Sequence, residues 1–387
     1  MSWCTTTDLD RFAAAAGGYL RSRAAENTLL LSAAEAGRAG IPDGTSPVGP
    51  LGVASGAVPN GTVPNGVGPL FGWWEPADGA GPRGAFLHDP RRPLLIAGRA
   101  PEMAVALAAL LAKTGRPVCG VDAPVDAADA FAAAWRQRAG TDVRVHGSCR
   151  LYRLLPAGAG AVEAPGPAGR LRVATPADTA LVTEWLTAFA AEAGERISSP
   201  RDLAGDLIGD GGAVFWEIPH RVSRLSQAAQ FLAPPYHRDT NHRDTQLRET
   251  GPHEDPGYQP VAMAALTRPV AGMVRVSMVY TRPDRRRSGY ATAVTFAASR
   301  AALDGTALDG TDGTDGTALD GPRTVTEVVL ITDGSRPDRK FTRLGYQLVD
   351  ERAAFRFGPP TGSLPRVNST SRPMPRLPTG PLPRLRR

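Results

Sequence analysis

Lysine is almost missing from this chain. Only Lys113 and Lys340 stand among 44 basic residues in a sequence of 387, so nearly all the positive charge is arginine, a bias of coding rather than of recognition. Cysteine is scarce as well: Cys4, Cys119 and Cys149 are odd in number and have no paired spacing. That supports neither a disulfide framework nor a zinc site, and it fits a reducing, cytoplasmic setting. Long apolar runs are also lacking. The longest, 103–112, is about half of what a membrane-spanning helix needs. Asp8 and Asp10 interrupt an amino terminus without the basic start and apolar core of a signal peptide, so neither export nor a membrane span is expected.

The formal charge of +6 at first suggests a nucleic-acid partner. Its location argues otherwise. Arg366, Arg372, Arg376, Arg384, Arg386 and Arg387 all fall in 359–387, a stretch with no acid, and the rest of the chain is formally neutral. A basic groove is not expected.

What is present is ample apolar content, 42%, and glycine (43) and proline (36) gathered into a few stretches. Those stretches divide the chain into blocks. The first block, 1–155, carries an insert at 41–68 with a doubled "VPNG"; 156–170 reads as a linker. The second block, 171–358, carries inserts at 220–259 and 304–321, and 359–387 reads as a disordered Pro/Arg-rich tail. The three inserts and the tail, four filler segments apart from the linker, lack the periodic apolar residues that offset ordering entropy, and are expected to be mobile.

Periodicity gives the first block two helices, three strands, then helix, strand, helix, strand. Leu9, Phe12 and Ala16 share one helical face, and Leu29, Leu30 and Ala33 continue in a second helix. Pro101 suits a first turn and Gly115 a stop. The second block repeats this order. It opens with a strand and a helix capped by Thr175, with Pro176 in the first turn and Asp178 three residues after the cap. The apolar face of that helix is Leu181, Val182, Trp185 and Phe189. The fold class is therefore α/β, of the mixed-sheet α+β kind. Trp73 and Trp74, adjacent on a strand, face opposite sides, one into the core and the other toward the seam between blocks.

One turn stands out. "TRPDRRRSGYAT", 281–292, follows the strand "MVRVSMVY" and leads into a helix. Gly289 and Ala291 keep side-chain bulk low where strand becomes helix. Amides at a helix start can face an anion, and Arg286 and Arg287 add charge, so the loop suits a diphosphate. A side chain at Gly289 is expected to project toward that anion. The plainer reading is a solvated arginine turn.

The spacing of Arg286, Gly289 and Ala291, together with "FTRLGYQLV" downstream, resembles the GNAT superfamily of acyl-CoA-dependent N-acyltransferases over about 171–357. The resemblance implies tandem GNAT-like domains, the first degenerate, with "AGRAPEM" and Pro101 where the phosphate loop belongs; an unrelated α/β domain is the alternative for that block. It also implies acetyl-CoA as cosubstrate, with no metal. Backbone groups of Val279, Tyr280 and Thr281 would lie along pantetheine. Arg286 and the amides of Arg287, Ser288, Gly289, Tyr290, Ala291 and Thr292 would hold the diphosphate.

The implied reaction is acetyl transfer to a primary amine on a small molecule or protein, with an amide near Val279 stabilising the oxyanion. A non-catalytic acyl-CoA-binding or regulatory protein is the alternative. No catalytic residue is assigned. Phe341 stands where many members carry a proton-donating tyrosine, and Asp338 replaces a common asparagine. Glu217 and Asp333 are strand-end carboxylates within reach of a cleft, or ordinary surface charges. The acceptor would be shaped by 194–212 and the insert that follows, and oligomeric state is not indicated.

Other motifs read as filler. His237, Asp239, His242 and Asp244 in "HRDTNHRDT" repeat at five residues, which aligns ligands on no single helix or strand face. The "LDGT" repeats match no calcium loop. The tail's "RPMPRLP" has the look of a polyproline ligand or of a disordered terminus.

Overall fold

The computed structural model describes residues 1–38, 67–160, 166–193, 197–219, 257–306, 324–334 and 339–360. Most of the four filler segments, Asp338 and the His237–Asp244 motif lie outside these residues. The inserts' edges are tighter than the composition suggests: Tyr258 and Gln259 already belong to a strand, and Pro359 and Pro360 end one.

The chain begins with a strand that periodicity overlooked, β1 (Ser2–Thr6), too short and half-buried to carry a pattern. Then come α1 (Leu9–Ser22), α2 (Thr28–Arg38), β2 (Leu70–Glu75), β3 (Gly84–His88), β4 (Leu94–Ala97), α3 (Pro101–Lys113), β5 (Gly120–Pro124), α4 (Val125–Ala139) and β6 (Thr141–Leu154). A short α5 (Pro156–Gly160) follows. The order then repeats with β7 (Arg170–Val173), α6 (Thr179–Glu192), α7 (Pro200–Gly209), β8 (Ala213–Pro219), β9 (Tyr258–Leu266) and β10 (Met273–Thr281). It closes with α8 (Tyr290–Leu303), β11 (Glu327–Asp333), α9 (Arg339–Arg343) and β12 (Gln347–Pro360). Counting β1, the two runs match element for element.

Local chemistry explains the boundaries. Asp8 caps α1 by accepting from the amides of Asp10 and Arg11. Pro101 opens α3 at its first turn, and Gly115, at φ +64°, follows its end. Thr175 and Asp178 form the expected capping box, first as a 3-10 turn that runs on into α6.

The twelve strands among the described residues make one mixed sheet, in the order β1-β2-β3-β4-β5-β12-β6-β11-β10-β9-β8-β7. Only β4·β5 and β10·β11 are parallel. The two runs exchange their last strands: β12 lies against β5, β6 lies against β11, and the two pair antiparallel at the centre from Gln347↔Arg153 to Pro360↔Thr141. The halves thus share one hydrogen-bonded sheet.

Helices cover both faces. One face carries α1 and α2 over a core that includes Phe12, Leu31, Trp73 and Val329, with α6 and α7 over Trp185, Phe215 and Tyr280. The other carries α3 and α4 over Phe86 and Phe131, and α8 over Val276 and Leu330. Trp73 and Trp74 do face opposite ways, and both are core. Among the described residues no helix is long and apolar enough to cross a membrane, and all three cysteines are free.

Candidate functional site

The parallel pairing of β10 with β11 runs only from Met273↔Glu327 to Val276↔Leu330. At that point β10 carries a bulge: its register with β9 shifts between Val276 and Met278, leaving Ser277 as the extra residue. The Ser277 hydroxyl donates to the Ala265 carbonyl at 3.1 Å, which satisfies it where the ladder is broken. A bulge bends its strand and increases local twist. Beyond it β10 stays with β9, whereas β11 stays with β6 as far as Asp333↔Cys149, so the two strands diverge.

The divergence exposes main chain. Arg282 donates its amide to Val261 O at 3.1 Å, and antiparallel pairing alternates, so Tyr280 also directs its backbone at β9. Val279 and Thr281 then direct theirs into the gap. This corrects one expectation: Tyr280 does not offer backbone there. It offers its ring instead, which packs 5.5 Å from that of Trp185 and lies 5.8 Å from the Arg286 guanidinium.

The loop after β10 turns through a short 3-10 segment, Pro283–Arg285, before α8. Arg287 sits at φ +62° and Gly289 at φ +86°. A left-handed non-glycine residue is strained by roughly 1–2 kcal/mol, so Arg287 is held there by its surroundings. Gly289 is the N-cap of α8 and has no side chain with which to cap it. The amides of its first turn therefore lack helical partners and point toward the cleft mouth, with the positive end of the helix dipole behind them.

The arginines of the loop differ in their engagements. Arg282 and Arg285 both pair with Asp284, at 3.2 and 3.3 Å. Arg286 braces the loop through Nε to Thr281 O at 3.0 Å, and reaches Glu192 of α6 at 2.5 Å. Arg287 has no acid partner among the described residues. An ideal Cβ on Gly289 would meet Pro167 Cδ at 3.4 Å. A side chain there would thus head for the segment before β7 rather than for a bound anion, and glycine is required for its φ.

Gap and loop open into one cleft of about 550 Å³. Nine of the ten residues expected at the cofactor site line it: Val279, Tyr280, Thr281, Arg286, Arg287, Gly289, Tyr290, Ala291 and Thr292. Ser288 does not; its exposed hydroxyl lies 3.5 Å from Arg286 O. Sequence reasoning missed Arg285 and the opposite wall, Phe189, Glu192 and Ala193 at the end of α6. Phe189 was legible as part of an apolar face, but nothing in the sequence said that the face would close over this loop.

The other candidates lie elsewhere. Glu217 is buried and paired with Arg170 at 2.9 Å and Arg172 at 2.6 Å, and Arg172 also holds Asp178 at 2.8 Å. It is an ion-pair anchor for β7. Asp333, at the end of β11, is not in the cleft lining. Phe341 is a core residue, its ring 6.1 Å from that of Tyr152 and 5.7 Å from that of Tyr346. The Tyr346 hydroxyl is buried, hydrogen-bonded to Ser299 at 2.7 Å, and shifted upward by burial, so it offers no acid to the cleft. Among the described residues there is no cluster of metal-ligating side chains.

The corresponding gap in the first half is closed. β4 and β5 separate after Leu95↔Asp122. There the buried Arg352 of β12 donates to Ile96 O at 3.2 Å and Asp122 O at 3.0 Å, and its Nε meets the Asp122 carboxylate at 2.7 Å. Only Gly98, Arg99 and Ala100 separate β4 from α3, too few residues to form a loop like 282–289.

No protein-family model matches the chain, and no curated protein does. Solved structures resemble it at low identity. A Drosophila protein aligns at 11% identity over 91% of this chain and 96% of its own, with a TM-score of 0.46. A GCN5-related N-acetyltransferase from Sphaerobacter thermophilus aligns at 14% over 76% and 82%, with a TM-score of 0.44. A tandem GNAT protein from the clavulanic acid biosynthesis pathway aligns at 13% over 76% and 84%, with a TM-score of 0.38. At these values the likenesses carry no argument about activity, which rests on the chain's own geometry.

Proposed function

We propose that the cleft binds acyl-CoA and that the chain is an N-acyltransferase, most simply an acetyltransferase acting on a primary amine. One observation carries the reading. The bulge at Ser277 turns β10 away from β11, and the strand so freed runs directly into the uncapped start of α8, within one cleft. That arrangement offers an extended thiol-bearing chain a strand edge to follow, and offers a diphosphate unpaired amides with the Arg287 guanidinium beside them. The volume suits a cofactor-sized ligand.

In the reaction the nitrogen of a neutral amine forms a bond to the thioester carbonyl carbon, the carbon–sulfur bond breaks, and the proton that nitrogen gives up passes to the departing thiolate. The Val279 amide, directed into the gap, is the donor available to the oxyanion. Alignment of amine against thioester supplies much of the acceleration.

A second reading, an acyl-CoA-binding protein without catalysis, is favoured by one feature. Among the described residues Glu192 is the single carboxylate lining the cleft, and it is taken up by Arg286. Calorimetric titration with acetyl-CoA tests binding; thiol release with a panel of amines separates the readings. No binding sinks both, and binding without thiol release from any amine favours the second.

A further inference from the structure

Arg275 is 2% exposed, and its Nε is enclosed without a hydrogen-bond partner. Among the described residues no carboxylate and no carbonyl meets its guanidinium. Burial alone pulls its pKa down to about 10, with no acid opposing the shift. A buried arginine is ordinarily paired, because an isolated charge loses its hydration with nothing in return. This fold follows that rule elsewhere: the equally buried Arg352 has the Asp122 carboxylate and two carbonyls.

The position of Arg275 gives its isolation meaning. Arg275↔Val329 and Val276↔Leu330 are the last two rungs before β10 and β11 diverge, so Arg275 stands at the closed end of the gap that runs from the start of α8. Strand alternation sets its face. Val274 and Val276 pack under α8, whereas Met273 packs under α1 and α2 and lies 3.3 Å from the Thr28 hydroxyl. Arg275 shares the face of Met273, where the α1–α2 and α6–α7 layers meet. In the first half, the last rung before the strands separate pairs Leu95 with Asp122, the carboxylate that meets Arg352. Opposite Arg275 on β11 stands Val329, an apolar side chain that offers no such partner.

We propose that Arg275 anchors a carboxylate on the acceptor, which makes the acceptor an amino-acid-like molecule carrying both an amine and a carboxylate. The guanidinium fork matches a planar carboxylate in bidentate fashion, and a ligand carboxylate supplies here what Asp122 supplies to Arg352. A diphosphate-bearing thioester entering from α8 has its reactive end near Ser277. An amine tethered to a carboxylate at Arg275 then arrives from the opposite face of the sheet. The proposal rests on the reading of the cleft as an acyl-CoA site.

The test compares matched pairs of amines, glycine with glycinamide and β-alanine with β-alaninamide, by calorimetry and thermal shift, with and without acetyl-CoA, on wild type, Arg275→Met and Arg275→Lys. Inorganic phosphate is a further probe. The expected result is that wild type binds each acid at least tenfold more tightly than its amide. Arg275→Met should lose that preference with acetyl-CoA affinity within twofold of wild type, and Arg275→Lys should keep some of it. Equal binding of acid and amide to wild type overturns the proposal whether or not the variants fold. So does protection by phosphate in place of the carboxylates, or an unchanged preference in Arg275→Met. Failure of acetyl-CoA itself to bind is read separately and bears on the function proposed above.

Discussion

The Arg286 guanidinium and the Glu192 carboxylate lie 2.5 Å apart, joining the loop after β10 to the end of α6 across the cleft. Both side chains are about half-exposed, so the contact contributes little to stability. Its consequence is for binding, because the same guanidinium is a source of positive charge for a diphosphate.

Glu192→Ala is therefore expected to leave the unfolding midpoint almost unchanged and to tighten acetyl-CoA binding about two- to fivefold at low salt. Titration at two ionic strengths checks it. Weaker binding would mean that Glu192 serves by holding Arg286 in place rather than by competing for it.

Gly289→Ala and Gly98→Ala are expected to fail in different ways. At Gly289, φ +86° makes alanine cost about 1 kcal/mol, and relaxation of that strain disturbs the first amides of α8. Acetyl-CoA affinity should fall about tenfold, the equivalent of one charge-assisted bond. At Gly98, φ is +113° and a Cβ would stand 2.9 Å from Met103 Cε and 3.1 Å from Arg83 O. That variant should lose more stability, and its folded fraction should bind acetyl-CoA normally. Thermal unfolding beside calorimetry separates the two.

Phe341→Tyr does not restore a general acid. The ring is buried with Tyr152 and Tyr346 and is absent from the cleft lining, so a new hydroxyl would be placed in an apolar core rather than in the cleft. The expected outcome is a loss of about 1–3 kcal/mol in stability with turnover per folded molecule unchanged. A rate increase in the thiol-release assay would contradict the placement.

His88 should make stability depend on pH. Burial, with Arg116 beside it, holds its pKa down at about 4 against the ordinary 6.5, despite a bond to Pro117 O. The neutral ring uses both nitrogens: Nε2 meets Pro117 O at 2.8 Å, and Nδ1 accepts from Arg116 Nε at 3.2 Å. Between about pH 6.5 and 4 the unfolded chain binds the extra proton, so stability present above pH 6.5 is lost as the pH falls, roughly 3 kcal/mol in full. Urea midpoints at pH 7 and pH 5 for wild type and His88→Gln check it. The variant should lose that component of the slope.

The loop and its helix were legible in the sequence because their cause is local. Low bulk at Gly289 and Ala291, a strand before them and a helix after them are all set within a dozen residues, and so is the capping box of Thr175 and Asp178. Most of the strands and the repeated order were legible for the same reason. β1 was not, since five half-buried residues hold no period and become a strand only by pairing with β2. Nor was the exchange of β6 and β12, which depends on pairings between residues some two hundred positions apart.

The tertiary structure also decided what the local pattern left open. Glu217 has the same sequence appearance as a catalytic carboxylate, and two arginines brought in by β7 made it an anchor. Phe341 lies beside a motif residue by residue, yet packing turned it into the core. Arg275, one arginine among 42 in the chain, gave no signal at all. Its isolation follows from burial opposite the apolar Val329, with no acid brought to it by the described residues. Sequence determines which groups are charged and which segments can pair. Whether a given charge is neutralised is set by what the rest of the fold brings within about 4 Å, and no local pattern encodes that.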